Sequence, residues 1–371
     1  MESLSSFYRS KKILVTGHTG FKGAWLALWL ERLGATVIGF ALPPKTAPNL
    51  FELAGLEKTC HHTIDDIRSL SALQVVLDTH RPDGVFHLAA QPLVRRSYAE
   101  PKYTFDVNAG GTVNVLEAIR NCSSVRFGVM VTTDKVYAAL SSPRAHREGD
   151  PLGGEDLYSA SKSAAEHAVA AYCKSFFEEG ASAGIRPVGI ASVRAGNVIG
   201  GGDWAEDRII PDAVRAATKE STLMFRHPSA IRPWQYILDP LAGYLALGVA
   251  LVEKPAIYQG GWNFGPDERQ EITVQELVTL FYKQLGRGDR PTQLEISRRA
   301  VHETETLRLR CDKASAALGW HPTYDIAQAV DRTAAWYRRV MWENVDAKKE
   351  CIDEIERFME QATQQGQWWA A

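Results

Sequence analysis

Two features of the sequence predict an α/β fold in which a doubly wound parallel sheet is joined to a smaller C-terminal α/β lobe. Short β-rich apolar runs alternate with helical stretches, and the first run ends in a glycine-rich turn that opens a helix. KKILVTG (11–17) reads as the first buried strand, and residues 21–33 follow with apolar spacing that suits a helix. ATVIGFAL (35–42), GVFHLAA (84–90), RFGVMVT (126–132) and VGIASVRA (188–195) repeat the strand signal. Runs this apolar, separated by helices, belong to βαβ units whose parallel sheet is covered on both faces. Past about residue 200 the rhythm breaks into Pro- and Gly-punctuated pieces. The expected division is a first domain over 1–200, a lobe mainly over 201–345 with some late segments returning to the first domain, and a polar helical tail over 346–371. FGP (264–266) and LGWHP (318–322) read as punctuation of the fold, with Trp320 in the core.

A chain of 371 residues exceeds the roughly 250–300 at which a single core stops growing, which fits two lobes sharing a cleft. The 45% apolar and 23% charged residues are those of an ordinary globular protein. The 42 basic and 44 acidic residues sum to −2 with no basic block, which argues against a nucleic-acid partner. MESLSSFYRS (1–10) lacks the features of a signal peptide, and no apolar run reaches the roughly 18 residues of a membrane span. No membrane contact and a cytoplasmic location are therefore expected. The five cysteines are odd in number and scattered, so they read as reduced packing residues, with neither a disulfide framework nor a metal spacing.

The glycine turn is TGHTGFKG (16–23). Gly17 allows a sharp turn, Gly20 a close approach of backbone to a pyrophosphate, and Gly23 a tight contact between helix and strand. The helix that starts here points unpaired N–H groups and its positive dipole end at phosphates. His18, Thr19, Phe21 and Lys22 complete this predicted dinucleotide loop, and the expected sheet is Rossmann-type. The acidic residue that usually meets the adenosine ribose, about 20 residues on, is missing: GFALPPKTAP (39–48) has Ala41 and Leu42 there. The cofactor is expected to be NAD, weakly held, since no arginine stands in those positions, although Lys45 is near. DDIRS (65–69) offers Asp66 and Ile67 either to adenine or, in the case of Asp66, as a helix cap.

VMVTTDKVYAAL (129–140) begins as a buried strand and then presents Thr132, Thr133, Asp134 and Lys135 in a row. Such residues either close a strand with a turn or handle protons at a site. YSASK places Tyr158 and Lys162 four residues apart, on one face of a helix. A cation near a phenol lowers its pKa from about 10, and two or three units correspond to roughly 3–4 kcal/mol in favour of phenolate. Lys162 is therefore expected to prepare Tyr158 to take a hydroxyl proton.

Together the glycine loop, HLAAQPLVRRSY (87–98), VNAGGTVNVLEA (107–118), TTDKVY (132–137), YSASK (158–162) and RAGNVIGGGDW (194–204) resemble the extended short-chain dehydrogenase/reductases that act on nucleotide sugars. VTGHTGFKGAWL, the Ala-Leu-x-Pro segment, TTDK and DPLGGEDLYSASK narrow the resemblance to the CDP-glucose 4,6-dehydratase family, over about Lys11 to Pro322. The segment 138–150 departs from it, lacking the aromatic residues the family usually has before its Arg-Glu pair.

The resemblance implies an NAD-dependent dehydration of CDP-glucose to CDP-4-keto-6-deoxyglucose, in a smaller lobe that binds the nucleotide sugar. By analogy, Tyr158 removes the C4 hydroxyl proton, Lys162 holds the phenolate and the nicotinamide ribose, and Thr133 meets the C4 oxygen and the tyrosine. Asp134 becomes the acid that protonates the leaving C6 hydroxyl, which needs a raised pKa. Lys135 stands where relatives have the C5 base; it acts as a base only with a pKa well below about 10.4, or else steadies the enolate as a cation. Leu88, Ala89, Ala90 and Thr132 are implied as further cofactor contacts. Gln91, Arg96, Asn197, Arg208, Arg232 and His302 are implied as substrate contacts, and Asn108 as the holder of a structural water. A homodimer or homotetramer and a place in making bacterial surface deoxysugars come with the family. A nucleotide-sugar 4-epimerase, a dehydratase for a dTDP-, UDP- or GDP-linked sugar, and a non-catalytic dinucleotide-binding regulator are the alternatives. An epimerase has no need of the Asp134 and Lys135 pair, and a regulator no need of Tyr158 and Lys162.

Overall fold

The computed structural model describes residues 1–139, 144–178, 187–267, 272–286, 292–294 and 308–371. The strands up to residue 195 are β1 (Lys12–Thr16), β2 (Thr36–Ala41), β3 (His61–Ile64), β4 (Gly84–His87), β5 (Phe127–Val131) and β6 (Gly189–Ala195). Short strands follow: β7 (Val198–Ile199), β8 (Leu223–Phe225), β9 (Ile231–Arg232) and β10 (Gln235–Tyr236). The last are β11 (Gly260–Phe264), β12 (Ile272–Thr273) and β13 (Thr292–Leu294). The main sheet has seven strands in the order β11-β6-β5-β4-β1-β2-β3, all parallel. Ile13 of β1 lies beside both Val37 of β2 and Gly84 of β4. The chain therefore winds outward in both directions from β1, and the crevice at that reversal, beyond the carboxyl ends of β1 and β4, is where such sheets bind ligands.

The two-residue period of the strands splits the interior into two cores. Ile13 and Val15 of β1, with Phe127, Val129 and Val131 of β5, face one; Leu14 and Met130 face the other. The first core is closed by the helices Phe21–Arg32, Leu238–Glu253 and Ile326–Met341, the second by Leu70–His80, Gly111–Asn121 and Leu157–Tyr172.

The expected strands at 11–17, 35–42, 84–90, 126–132 and 188–195 appear as β1, β2, β4, β5 and β6. Two strands of the same sheet carry no comparable signal. The edge strand β3 is HHTI, polar because only one neighbour covers it, and β11 is GGWNF, whose glycines resemble a turn. The latter returns to the main sheet beside β6, with Trp262 opposite Val193. Trp320 is buried and donates its indole N–H to the Asp239 carbonyl at 3.1 Å.

The C-terminal helix Ala347–Gln364 lies on the outer face of Phe21–Arg32. Trp29 meets Phe358 edge-on at 5.7 Å and Trp369 at 6.4 Å, and Arg32 reaches Glu356 at 2.8 Å. None of the five cysteines, all among the described residues, forms a disulfide; four are buried, and Cys311 is partly exposed. No helix among the described residues is long and apolar enough to cross a membrane.

Candidate active site

A cleft of about 1030 Å³ opens at the carboxyl ends of β1 and β4 and runs out between the sheet and the later segments. The glycine loop forms its floor. Gly17 has φ +75°, where a side chain is disfavoured, and a Cβ there would meet the Ala89 nitrogen at 2.7 Å. A Cβ on Gly23 would meet the Gly17 carbonyl oxygen at 2.1 Å, so the helix can press against the loop only with glycine there. Gly20 differs: it is exposed, and its Cβ would meet only the Gly17 oxygen, at 3.4 Å. The middle glycine thus leaves open space beside the loop. Thr19 ties the loop to the end of β2 by donating to the Leu42 carbonyl at 2.8 Å.

Phe21, Lys22, Asp66, Ile67, Leu88, Ala89 and Ala90 all line the cleft. The Ala89 amide is held by the Thr16 hydroxyl at 3.2 Å. Asp66 caps no helix; Ser69 caps Leu70–His80, while Asp66 accepts a two-pronged pair from Arg68. Two expected cofactor contacts turn away. The His18 imidazole is fully buried under Gly39, 5.2 Å from Phe51 and 5.9 Å from His62, with no hydrogen-bond partner on either nitrogen among the described residues. Thr132 borders the cleft but spends its hydroxyl on Glu166 at 2.6 Å, because the even-numbered face of β5 continues into the interior.

At the end of β5 the alternative of turn or proton site dissolves, since the turn builds the cluster. Thr133 caps the tight turn Asp134–Val136, accepting from the Lys135 N–H at 3.4 Å, and donates through Oγ1 to Asp134 Oδ1 at 3.0 Å. Asp134 is 3% exposed, and its Oδ2 is buried with no partner among the described residues. Burial pushes this carboxyl above the usual carboxylate range, and Lys135, Thr133, Lys22 and Arg232 pull it back only in part. That is the state a proton donor needs.

Tyr158 and Lys162 stand one turn apart on the helix Leu157–Tyr172, whose N-terminus Asp156 caps by accepting from the Tyr158 and Ser159 amides. The expectation that Lys162 lowers the phenol is not met. Burial pushes Tyr158 up to about 12, opposed by the Thr133 hydroxyl and by Arg208, with Asp134 adding to the rise. Lys162 instead donates to the Val131 carbonyl at 3.0 Å, and burial lowers it to about 8 against the pull of Glu166. Lys22, at the same helix end as the glycine loop, is likewise lowered to about 8, by burial first and then by Arg208, with Asp134 opposing and Lys162 adding.

Behind the cluster lies a network the sequence reading missed. Glu166 accepts from Ser192, from Thr132 and from Arg194, and Arg194 also donates to the Tyr137 hydroxyl at 2.7 Å. Both partners of the ion pair are buried, at 2.9 Å. Burial alone would raise Glu166; the Arg194 contacts and the hydroxyls outweigh it and hold the carboxyl low. The signal was available: Glu166 is four residues beyond Lys162 and so shares its helix face.

The expected substrate residues divide. Arg96, Asn197, Arg208 and Arg232 line the cleft. Arg208 pairs with Asp203 at 2.9 Å and Arg96 with Glu100 at 3.0 Å, and Arg232 donates to the Ile231 carbonyl at 3.0 Å. Gln91 also borders the cleft, but it is 1% exposed and donates both amide hydrogens, to the Leu93 carbonyl and to Thr104. Asn108 bonds directly to both backbone groups of Gln91 and to Ser161 at 2.9 Å. It thereby ties the β4 loop to the tyrosine helix. His302 and residues 140–143 of the departing segment lie outside the described residues.

Known proteins match this arrangement over most of its length. The chain is 42% identical over 337 residues to a CDP-glucose 4,6-dehydratase of Salmonella typhimurium, covering 90% of this chain and 92% of that protein. A dTDP-glucose 4,6-dehydratase of Streptomyces venezuelae, DesIV, solved with NAD bound, superposes with TM-score 0.74 and 25% identity, covering 90% of this chain and 99% of that one. A UDP-glucose 4-epimerase of Thermotoga maritima superposes with TM-score 0.76 at 20% identity, covering 89% and 99%, which bears on the fold alone. With the family model for GDP-mannose 4,6 dehydratase matching residues 14–333, the chain belongs to that family of nucleotide-sugar dehydratases.

Proposed function

We propose that the protein is an NAD-dependent CDP-glucose 4,6-dehydratase that makes CDP-4-keto-6-deoxyglucose. The observation that carries the reading is a buried carboxyl held above its usual range on a dinucleotide-type cleft that a buried tyrosine also lines. The cleft suits NAD: the open space at Gly20 fits a pyrophosphate, and Asp66 and Ile67 line the adenosine end. Ala41 and Leu42 offer no ribose acid, in keeping with weak binding. NAD, when bound, would supply the acceptor and donor for a hydride moving from C4 to C6.

The chain's own groups manage the protons. Tyr158, as phenolate, takes the proton from the C4 hydroxyl, with Thr133 fixing the oxygen and Lys162 the phenolate. The 4-ketone acidifies C5, Lys135 removes that proton, and Asp134 gives its proton to the C6 hydroxyl, which leaves as water. Lys135 then returns the proton to C5. Arg208 and Arg232 hold the diphosphate through planar forks suited to phosphate oxygens. Residues 1–200 carry cofactor and catalysis in this reading, and 201–345 most of the nucleotide contacts. It also includes a homodimer or homotetramer, which light scattering checks.

The 42% identity to a CDP-glucose enzyme favours the cytidine nucleotide. Incubation with NAD and, separately, CDP-, dTDP-, UDP- and GDP-glucose tests this by mass spectrometry. Loss of one water from the CDP sugar, with little from the others, is expected; equal or preferred loss from another base would reassign the substrate.

A further inference from the structure

The two halves of the proposed reaction ride on different elements. Tyr158 and Lys162, the groups of C4 oxidation, stand on the helix Leu157–Tyr172, while Asp134 and Lys135, the groups of water loss, stand on the tight turn Asp134–Val136. That turn holds itself weakly. Its own bonds, from the Lys135 N–H to the Thr133 hydroxyl and from the Val136 N–H to the Thr133 carbonyl, are both 3.4 Å long, at the edge of hydrogen bonding. The residues at its far end are held more tightly. Val136 is fully buried in a small core with Tyr137 and Leu309, and its carbonyl accepts from the Gly153 amide at 2.7 Å. The Tyr137 hydroxyl donates to Asn263 Oδ1 at 2.6 Å and accepts from Arg194 at 2.7 Å. Arg194 and Asn263 are opposite each other in register on β6 and β11, so the phenol is fastened to the main sheet itself. Asn263 also donates to the His146 and Arg310 carbonyls, each at 3.1 Å, which fixes its oxygen toward the phenol. His146, from the segment that departs from the family pattern, stacks on the Tyr137 ring at 4.6 Å.

Building on the dehydratase reading, we propose that Tyr137 is a positioning residue for water loss: its hydroxyl, held between β6 and β11, sets where the turn presents Lys135 to C5 and Asp134 to the C6 hydroxyl. Tyr137 is 6% exposed and stands outside the cleft lining, so it acts only through the turn. Water loss needs the base and the acid in place together, and both sit within three residues of Tyr137. A displacement of about an ångström at reacting groups costs on the order of 10²-fold in rate. C4 oxidation is shielded from such a displacement, because its groups belong to a separate helix whose Glu166–Arg194 pair does not need the phenol.

Tyr137→Phe keeps the ring and its stack and removes only the hydroxyl. The full-length variant is mixed with NAD and CDP-glucose in a stopped-flow instrument, with NADH followed by absorbance and dehydrated sugar by mass spectrometry of quenched samples. NADH is expected to appear within about twofold of the wild-type rate while water loss slows by on the order of 10²-fold, so that NADH accumulates on the protein with KM nearly unchanged. Asn263→Ser, which withdraws the acceptor and leaves Tyr137 in place, should show the same imbalance, and it decides the matter if the phenylalanine variant does not fold. Both steps slowed by one factor, or neither slowed, would overturn the positioning role. Failure of both variants to fold, seen by circular dichroism, would make the hydroxyl a folding determinant and overturn it as well. A wild type that forms no dehydrated sugar would overturn the functional reading itself, and the positioning role with it.

Discussion

At the scale of single residues, the site is made of groups held away from their ordinary ionisation states. Asp134 is raised by burial, with one oxygen on Thr133 and the other unpartnered. Asp134→Asn keeps the shape but has no proton to give. It is expected to slow water loss by roughly 10²–10⁴-fold while C4 oxidation continues, so NADH absorbance accumulates on the protein. Equal slowing of both steps would make Asp134 an organiser. Tyr158→Phe is expected to cut turnover by a similar 10²–10⁴-fold with NAD affinity, followed by fluorescence titration, nearly unchanged. His18 makes a prediction about pH. Burial, with His62 adding, lowers it to about 4. The unfolded chain takes up this proton near pH 6.5, and the folded chain refuses it until about 4. The contribution to stability is therefore complete above pH 6.5 and falls away as pH drops toward 4, by about 3 kcal/mol. Urea titrations across that window should show a flatter fall for His18→Gln than for the wild type.

At the scale of elements, the end of β5 and the helix Leu157–Tyr172 are fixed from behind by the Glu166–Arg194 pair. Removing one partner leaves a buried charge uncompensated, so Glu166→Gln is expected to cost about 3–5 kcal/mol, read as a lower thermal midpoint. An unchanged midpoint would mean that the hydroxyls of Thr132 and Ser192 hold the elements unaided. The sequence made the elements with strong local patterns legible: the apolar runs of β1, β2, β4, β5 and β6, the glycine turn, and the four-residue spacing of Tyr158 and Lys162. It did not show where side chains point once the strands pack. His18 and Thr132 sit in the expected stretches, yet turn into the interior, because the space under Gly39 takes an imidazole and Glu166 takes a hydroxyl. Gln91 and Asn108 are likewise spent on each other's backbone and on Thr104 and Ser161, pairings between segments far apart in the chain. Lys162 was expected to act on Tyr158, but its ammonium donates to the Val131 carbonyl.

At the scale of the whole molecule, the last 26 residues, which carry no chemical motif, cover the helix that begins at the glycine loop. Phe358 and Trp369 pack on Trp29, and the buried Glu350 and Glu354 pair with Arg339 and with Arg332 and Arg357. Ending the chain after Val345 exposes Trp29. Losing two or more large buried aromatic contacts is expected to cost at least about 3 kcal/mol, seen as a lower melting temperature and red-shifted tryptophan emission. Unaltered melting would show that the tail is not part of the cooperative fold. Late segments also reach the site from afar: β11 extends the main sheet, and Arg208 and Arg232 line the same cleft as Tyr158.

The account stands on one intramolecular event, the passage of hydride from C4 to C6 with loss of water between C5 and C6. The direct measurement uses CDP-glucose deuterated at C4, incubated with the protein and NAD, and analyses the product by mass spectrometry and NMR. The expected product is a sugar lighter by one water, with the deuterium at C6 and no net NADH. An unchanged mass with deuterium still at C4 of an epimer would contradict it and leave Asp134 and Lys135 without a part in the reaction.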